Sequence, residues 1–490
     1  MRKATWARLQ AYKIIHQVNT RQAFARPLIE EHIYTANAAP AERDFAVLLV
    51  LGTIAAIGEL DLIIEHSLGK RRIATAVMDI LRLATYELVF LHKAAYAAVD
   101  QAVALAHQLH PRAAGFVNWA MRQIQTATID FPWGDSSSDI TALAHETAFP
   151  LWLAKRLVEE QGWEEACEFM SVANQAAPIY AKDLATLKTM RISSHELQTM
   201  QNRINAGQLI IADAATQEIA NLVSQQVANL AAQKIADQTY QQTSDLTGQQ
   251  TNSITATQEI TNQIRQQIAN LATKQTSNLA SQQTYSNTTN CVFLEVGSGR
   301  GTKTVLINHQ LQQCGHNLYQ HWAIDKHEFK TNLLQERIGQ YALEDVRART
   351  ADVFALPGLI AEGMLPAQFD IVFIDAPCSG SGTLRRHPEI RWRITAADIS
   401  ALAEQGLAFL AAVAPFISPG GSLIYATCSV FAEENEHVVQ AFLASPFGAE
   451  FTLQSFAADS VFSPYFQSKQ VTGGGDAHFA ALLTRRGKTT

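Results

Sequence analysis

The 490-residue chain is 47% hydrophobic and 17% charged, with a formal net charge of −7, which suits soluble cores and exceeds one ordinary domain, so two or three are expected. No run of about 18 uninterrupted apolar residues occurs and the start, MRKATWARLQ, lacks the apolar core of a signal peptide, so the reading is a cytoplasmic protein without a membrane span. Five cysteines with no C-x-x-C pair argue against a disulfide framework and a zinc site. The acidic total argues weakly against a nucleic-acid partner, but the first 130 residues carry 14 basic and 11 acidic side chains, so local distribution matters more than the sum.

In chain order, residues 1–130 read as helices only: Ala7–Val18, Glu42–Ile64, Thr75–Leu91 and Ala97–Leu109 all place apolar residues at helical spacing. Residues 131–210 begin with Pro132-Trp133-Gly134 and a polar DSSSD run. A further helical piece, Phe149 to Asp183, makes this a helical linker region. Residues 211–290 are low in complexity, with 16 Gln in 80 positions, one Gly, no Pro and a recurring N-L or D-L step. Ile219, Leu222, Val223, Val227, Leu230 and Ile235 fit one helix face, and the expectation is a partly helical, mobile insertion that lacks catalytic residues and is dispensable from 224 to 290. Residues 291–486 alternate strand-like and helix-like segments, which predicts a doubly wound α/β sheet.

Two features of this last region carry chemistry. The strand-like CVFLEV, Cys291–Val296, runs into Gly297-Ser298-Gly299-Arg300-Gly301-Thr302-Lys303 and then a helix. Small residues there let the backbone approach a ligand, and a helix start offers free N–H groups to an anion. Asp325, ending the next strand, stands where a carboxylate accepts ribose hydroxyls. The second feature is a pair of cysteines, each closing an apolar run: FDIVFIDAPCSG holds Asp375 and Cys378, and GSLIYATCS holds Cys428. Thiols ending buried strands are often packing residues, but Pro377, Ser379, Thr427 and Ser429 set these two in polar loops at the carboxyl edge of the sheet, where such folds bind ligands.

The DAPCSG stretch, the RRHPEI-W-R stretch after it, and a TCS followed by ENE resemble the Sun/RsmB family of RNA cytosine methyltransferases. The first 130 residues resemble the NusB-like RNA-binding domain that many such enzymes carry, through Leu81–Leu91, Ala97–Val103 and Gly115–Arg122. The resemblance implies a Rossmann-like methyltransferase domain, S-adenosylmethionine as cofactor and small-subunit ribosomal RNA as partner, with no metal and a monomeric chain. It further implies Cys428 as the nucleophile toward carbon 6 of a cytosine, Cys378 as the group that assists release, and Asp375 at ring nitrogen 3. Gly297 through Lys303, Asp325, Asp352 and Asp375 would hold the cofactor. Arg385, Arg386, His387, Arg391 and Arg393, the densest cationic cluster, would hold RNA phosphates beside a flipped base. Cys167, Cys291 and Cys314 are read as structural.

Three departures from the family pattern stand out: a G-S-G-R-G-T-K loop where relatives have C-A-A-P-G-G-K, the insertion of about 67 residues before the first cofactor strand, and D-A-H-F at Asp476–Phe479 where relatives have D-G-F-F. Two other readings therefore stay open. One is the same chemistry on transfer RNA or another ribosomal site; the other is an inactive RNA-binding or antitermination factor, against which the intact cysteines argue.

Overall fold

The computed structural model describes residues 3–247, 291–313, 319–456 and 463–487. The amino-terminal part is a bundle of seven α-helices from Trp6–Arg21 to Ala114–Ala127, with a π-helical turn at Glu30–Tyr34. The stripes seen in the sequence converge: Ile14, Ile15, Leu49, Val50, Ile63, Ile80, Leu105, Val117 and Met121 form one buried core. Charges that enter it are paired, as burial requires. Asp79 is fully buried and accepts from His16, Asn19 and Arg82, and Glu87 takes a two-pronged bond from Arg8.

Three helices follow, Ile140–Thr147, Leu151–Gln161 and Trp163–Ala173. The chain then departs from the helical linker expected over 131–210. It forms a small antiparallel sheet of β1 (Ile179–Asp183), β2 (Thr189–Ile192) and β3 (Leu209–Ile211), in the order β2-β1-β3. Runs of three to five residues are too short to show a period, so they were not legible as strands.

The carboxyl-terminal sheet comprises β4 (Cys291–Val296), β5 (Tyr319–Asp325), β6 (Val346–Thr350), β7 (Phe369–Asp375), β8 (Ile417–Thr427), β9 (Phe451–Gln454), β10 (Phe466–Ser468) and β11 (His478–Arg485). Its order is β10-β11-β8-β7-β4-β5-β6, with β9 paired to β11. Strands β4 to β8 are parallel and β11 is antiparallel to β8. Parallel strands need cover on both faces. Thr302–Gln313 and Glu328–Gln340 contribute to one covered core; Ala396–Val413 covers the other face. The Ala396–Phe416 segment is long and apolar enough to cross a membrane, yet its Ile399, Leu410 and Val413 are buried within the protein.

The structure corrects the reading of 211–290 as an insertion throughout. A helix spans Ala214–Thr247, and Ile219, Val223, Val227 and Ala231 on it are at most 2% exposed, packed with Cys291, Phe293, Val305 and Leu311. Positions four apart make a continuous stripe, and Lys234 closes it with an ion pair to Asp370 at 2.6 Å. The expectation for 248–290 lies outside the described residues. Replacing 224–290 by a short linker is accordingly expected to unfold the catalytic sheet rather than to spare it. Val227→Asp isolates the cause: burying an unpaired carboxylate there should lower stability by about 3 kcal/mol or more in denaturant unfolding. A loss under about 1 kcal/mol would mean the helix is not part of the core.

Candidate active site

The site lies where β4, β5, β7 and β8 end. At the end of β4 the chain turns through Gly297 at φ +77°, and a Cβ there would stand 2.5 Å from the Asp375 carbonyl oxygen, so only glycine lets the loop lie against the end of β7. The next turn starts a helix at Thr302, and Lys303 reaches back to Asp375 with Nζ 2.7 Å from Oδ2. Burial is the largest influence and opposes the Lys303 charge, but Asp375, Cys428 and Glu295 together outweigh it and raise the ammonium's pKa.

Asp325 ends β5 at 6% exposure. Its carboxylate accepts from the Gly299 N–H at 3.1 Å, the His327 N–H at 2.9 Å and Lys330 Nζ at 3.4 Å, which fixes the loop against the second strand. Asp352, after β6, is exposed and caps a short 3-10 turn through the Phe354 N–H. Gly297, Gly299, Lys303, Asp325, Asp352 and Asp375 all border one cleft of about 1440 Å³. Ser298, Arg300, Gly301 and Thr302 do not: Gly301 passes Leu334, the Thr302 hydroxyl accepts from Arg337, Ser298 is buried and Arg300 faces solvent.

The two sulfurs meet in the same cleft. Cys378 Sγ lies 3.2 Å from Cys428 Sγ, and the Cys428 N–H points at Cys378 Sγ at 3.3 Å. Strands β7 and β8 are neighbours in register, Asp375 opposite Ala426, so loops leaving them bring together residues fifty positions apart. The contact with Cys428, then burial, holds the Cys378 thiol well above its usual pKa. The raised pKa favours the protonated thiol form of Cys378.

Glu434 is a determinant that the sequence reading left without a role. It is 1% exposed and accepts from the Ser379 N–H and Ser379 Oγ, each at 2.6 Å, and from the Ser429 hydroxyl. It thereby ties the Cys378 loop to the Cys428 loop, while Asn435 holds Thr427 and the Ser429 carbonyl. The E-N-E run after the second cysteine was the available signal.

The cationic cluster is not a free phosphate-binding surface. Arg385 is 3% exposed and donates through Nη2 to the Gly474 and Gly475 carbonyls. Arg386 bridges Asp213 and Asp476 at 2.5 and 2.8 Å and also reaches the Pro178 carbonyl. Arg391 is wholly buried against Phe149, and Arg393 bonds the Ala23 carbonyl and lies over Phe24. With Trp392 Nε1 on the Ala55 carbonyl at 2.6 Å, Arg391, Trp392 and Arg393 dock the catalytic loop onto the bundle and the middle helices. Of the five, Arg386 and His387 border the cleft. Burial, then the Arg26, Arg386 and Arg300 charges, hold His387 neutral by lowering its pKa to about 4.

Arg26, Tyr34, Arg43 and Asp44 of the bundle line the opposite wall of the cleft. Among the described residues, no group of three or more His, Cys, Asp or Glu side chains could hold a metal ion.

The sequence matches the 16S rRNA methyltransferase RsmB/F family over residues 282–483 and the NusB family over residues 5–126. It is 25% identical over 447 residues, 90% of this chain and 89% of the relative, to a probable ribosomal RNA small subunit methyltransferase B of Bacillus subtilis. It is also 37% identical over 133 residues to ribosomal RNA small subunit methyltransferase B of Cronobacter sakazakii, covering 26% of this chain and 30% of that one. Among solved structures, PH0851 superposes with a TM-score of 0.67 at 16% identity, covering 98% of this chain and 100% of that one, a likeness of fold. The chain thus carries a NusB-family helical domain over residues 5–126 and, over residues 282–483, a domain of the 16S rRNA methyltransferase RsmB/F family, in which the paired thiols, the glycine loop and the Lys303–Asp375 bridge share one cleft.

Proposed function

We propose that the protein transfers a methyl group from S-adenosylmethionine to carbon 5 of a cytosine in 16S ribosomal RNA. The observation that carries this reading is the contact of Cys378 and Cys428, 3.2 Å apart, in the cleft that also holds the Lys303–Asp375 pair.

The residues fit the cofactor on their own geometry. The close approach of Gly297 to β7 and the buried Asp325 carboxylate form a narrow seat at the strand ends, with Asp352 on its far side. Asp325 would accept ribose hydroxyls and Asp352 would face the adenosyl end. S-adenosylmethionine, when bound, supplies an electrophilic methyl group. Asp325→Ala should weaken its binding by about 1–3 kcal/mol, the range for a lost charge-assisted hydrogen bond. Calorimetry giving unchanged affinity would remove Asp325 from the seat.

The chemistry at the base belongs to the thiols and the carboxylate. Cys428, whose neighbour Cys378 is held in its thiol form, is the better placed of the two to act as thiolate and add to carbon 6. As charge develops on the ring, nitrogen 3 takes up a proton from water and donates it in a hydrogen bond to the Asp375 carboxylate, which Lys303 anchors. Addition makes carbon 5 nucleophilic enough to take the methyl group. Loss of the carbon 5 and nitrogen 3 protons to water and return of the carbon–sulfur electron pair to Cys428 restore aromaticity, with Cys378 assisting that release. Bisulfite sequencing of small-subunit ribosomal RNA from a deletion strain tests the reading in the cell: one 5-methylcytosine should disappear, and an unchanged pattern would reject the substrate.

A further inference from the structure

His478 opens β11, and the last residues paired between β11 and β8 are Phe479 and Thr427. One step further along that antiparallel register sets His478 beside Cys428, at the same sheet edge as the two thiols. The side chain is 6% exposed and borders the cleft together with Lys303, Asp375, Cys378 and Cys428. Its Nδ1 has no accessible surface and lies against the Asp476 backbone, which favours a protonated ring, so the ring nitrogen that a molecule in the cleft can reach is Nε2. Burial, followed by the Lys303 charge, overrides that influence and lowers the imidazole pKa to about 4, so the ring is neutral near pH 7.

The ring is also held in position. The His478 N–H donates to Ser468 Oγ at 2.8 Å, and the Ala477 N–H donates to the Gly382 carbonyl at 3.0 Å. A Cβ on Gly382 would stand 2.2 Å from the Ala477 oxygen, so the segment carrying His478 and the loop carrying Cys378 are packed backbone against backbone. A neutral imidazole that borders the cleft beside a nucleophilic sulfur, with Nε2 as its accessible nitrogen, is suited to a polar partner that arrives with the substrate. Its low basicity suits recognition and not removal of the carbon 5 proton.

We propose that His478 is a base-reading residue, whose Nε2 hydrogen-bonds the polar edge of the pyrimidine nucleotide held against Cys428. The inference rests on the methyl-transfer reading above and assigns a specificity contact to it. Either ring nitrogen can donate or accept according to tautomer, so one imidazole can meet the amino group or a ring acceptor of that base.

The test compares the intact chain with His478→Phe, which keeps a ring and removes both nitrogens, and His478→Gln, which retains a polar atom near Nε2. Each is assayed for methyl transfer to unmodified small-subunit RNA, for S-adenosylmethionine affinity by calorimetry, and for thermal unfolding. The expected result is a fall in kcat/KM for RNA of roughly tenfold in His478→Phe, the size of one lost hydrogen bond, partly recovered in His478→Gln. Cofactor affinity should stay unchanged, and the unfolding midpoint of His478→Phe should stay equal or rise, because a buried polar atom has given way to an apolar one. A His478→Phe enzyme within twofold of the parent in kcat/KM overturns the inference and leaves the methyl-transfer reading intact. An intact chain that binds the cofactor but transfers nothing to RNA overturns both.

Discussion

Cys428→Ala is expected to abolish methyl transfer, and Cys378→Ala to leave a covalent protein–RNA adduct that survives a denaturing gel. The first follows because removing an activated nucleophile removes the covalent route altogether, an effect of several orders of magnitude. The second follows from the geometry. Cys378 holds its proton against Cys428 at 3.2 Å, and the Glu434 bridge fixes its loop, so its removal spares the attacking sulfur and takes away the group beside it at release. Both variants should fold, since the loops are also tied by Glu434, Asn435 and Gly382, none of which bonds to a thiol. An adduct formed by the Cys428 variant and none by the Cys378 variant would exchange the two roles.

Arg391→Ala is expected to lower global stability by about 3–5 kcal/mol, the range for removing one partner from a buried polar cluster. The guanidinium is wholly buried, with its centre 4.0 Å from the Phe149 ring centroid, and it donates to Asn174 Oδ1 at 2.9 Å and to the Ala148, Ala173 and Ala55 carbonyls at 3.3 to 3.5 Å. Burial lowers its pKa to about 9, which leaves it charged at neutral pH with carbonyl and amide oxygens as its partners. Deleting it strands those acceptors where the bundle, the middle helices and the catalytic loop meet. Arg391→Lys should recover little, because a single ammonium cannot span four acceptors that a planar fork reaches. Denaturant unfolding decides the point. A loss under about 1 kcal/mol would show that the domains dock without Arg391 and return it to the list of RNA contacts.

How much could be read from the chain alone follows from where each signal resides. Strands β7 and β8 were legible because buried parallel strands are continuous apolar runs, and their polar ends marked the thiols. The glycine loop, Asp325 and Lys303 were legible for the same reason, as they follow β4 and β5 directly. The stripe Ile219, Val223, Val227, Ala231 was visible in part but outweighed by the glutamine-rich composition around it. Composition averages over both faces of a helix, whereas burial depends on one.

The cluster from Arg385 to Arg393 failed for a different reason. Its partners include the carbonyls of Ala23, Ala55, Ala148 and Gly474, and a backbone oxygen has no signature in a sequence. Arginine's five donors let it serve as an interdomain clamp as readily as a phosphate ligand, and position decides which. His478 was equally hidden, since its neighbour Cys428 is fifty positions away and is reached only through the β8–β11 register.

The central claim is the identity of the methylated atom. Incubation of the intact protein with S-adenosylmethionine bearing a labelled methyl group and unmodified small-subunit ribosomal RNA, followed by digestion to nucleosides and mass spectrometry, reads it directly. Label is expected in 5-methylcytidine alone. Label on another nucleoside, or on another atom of cytidine, would contradict that claim.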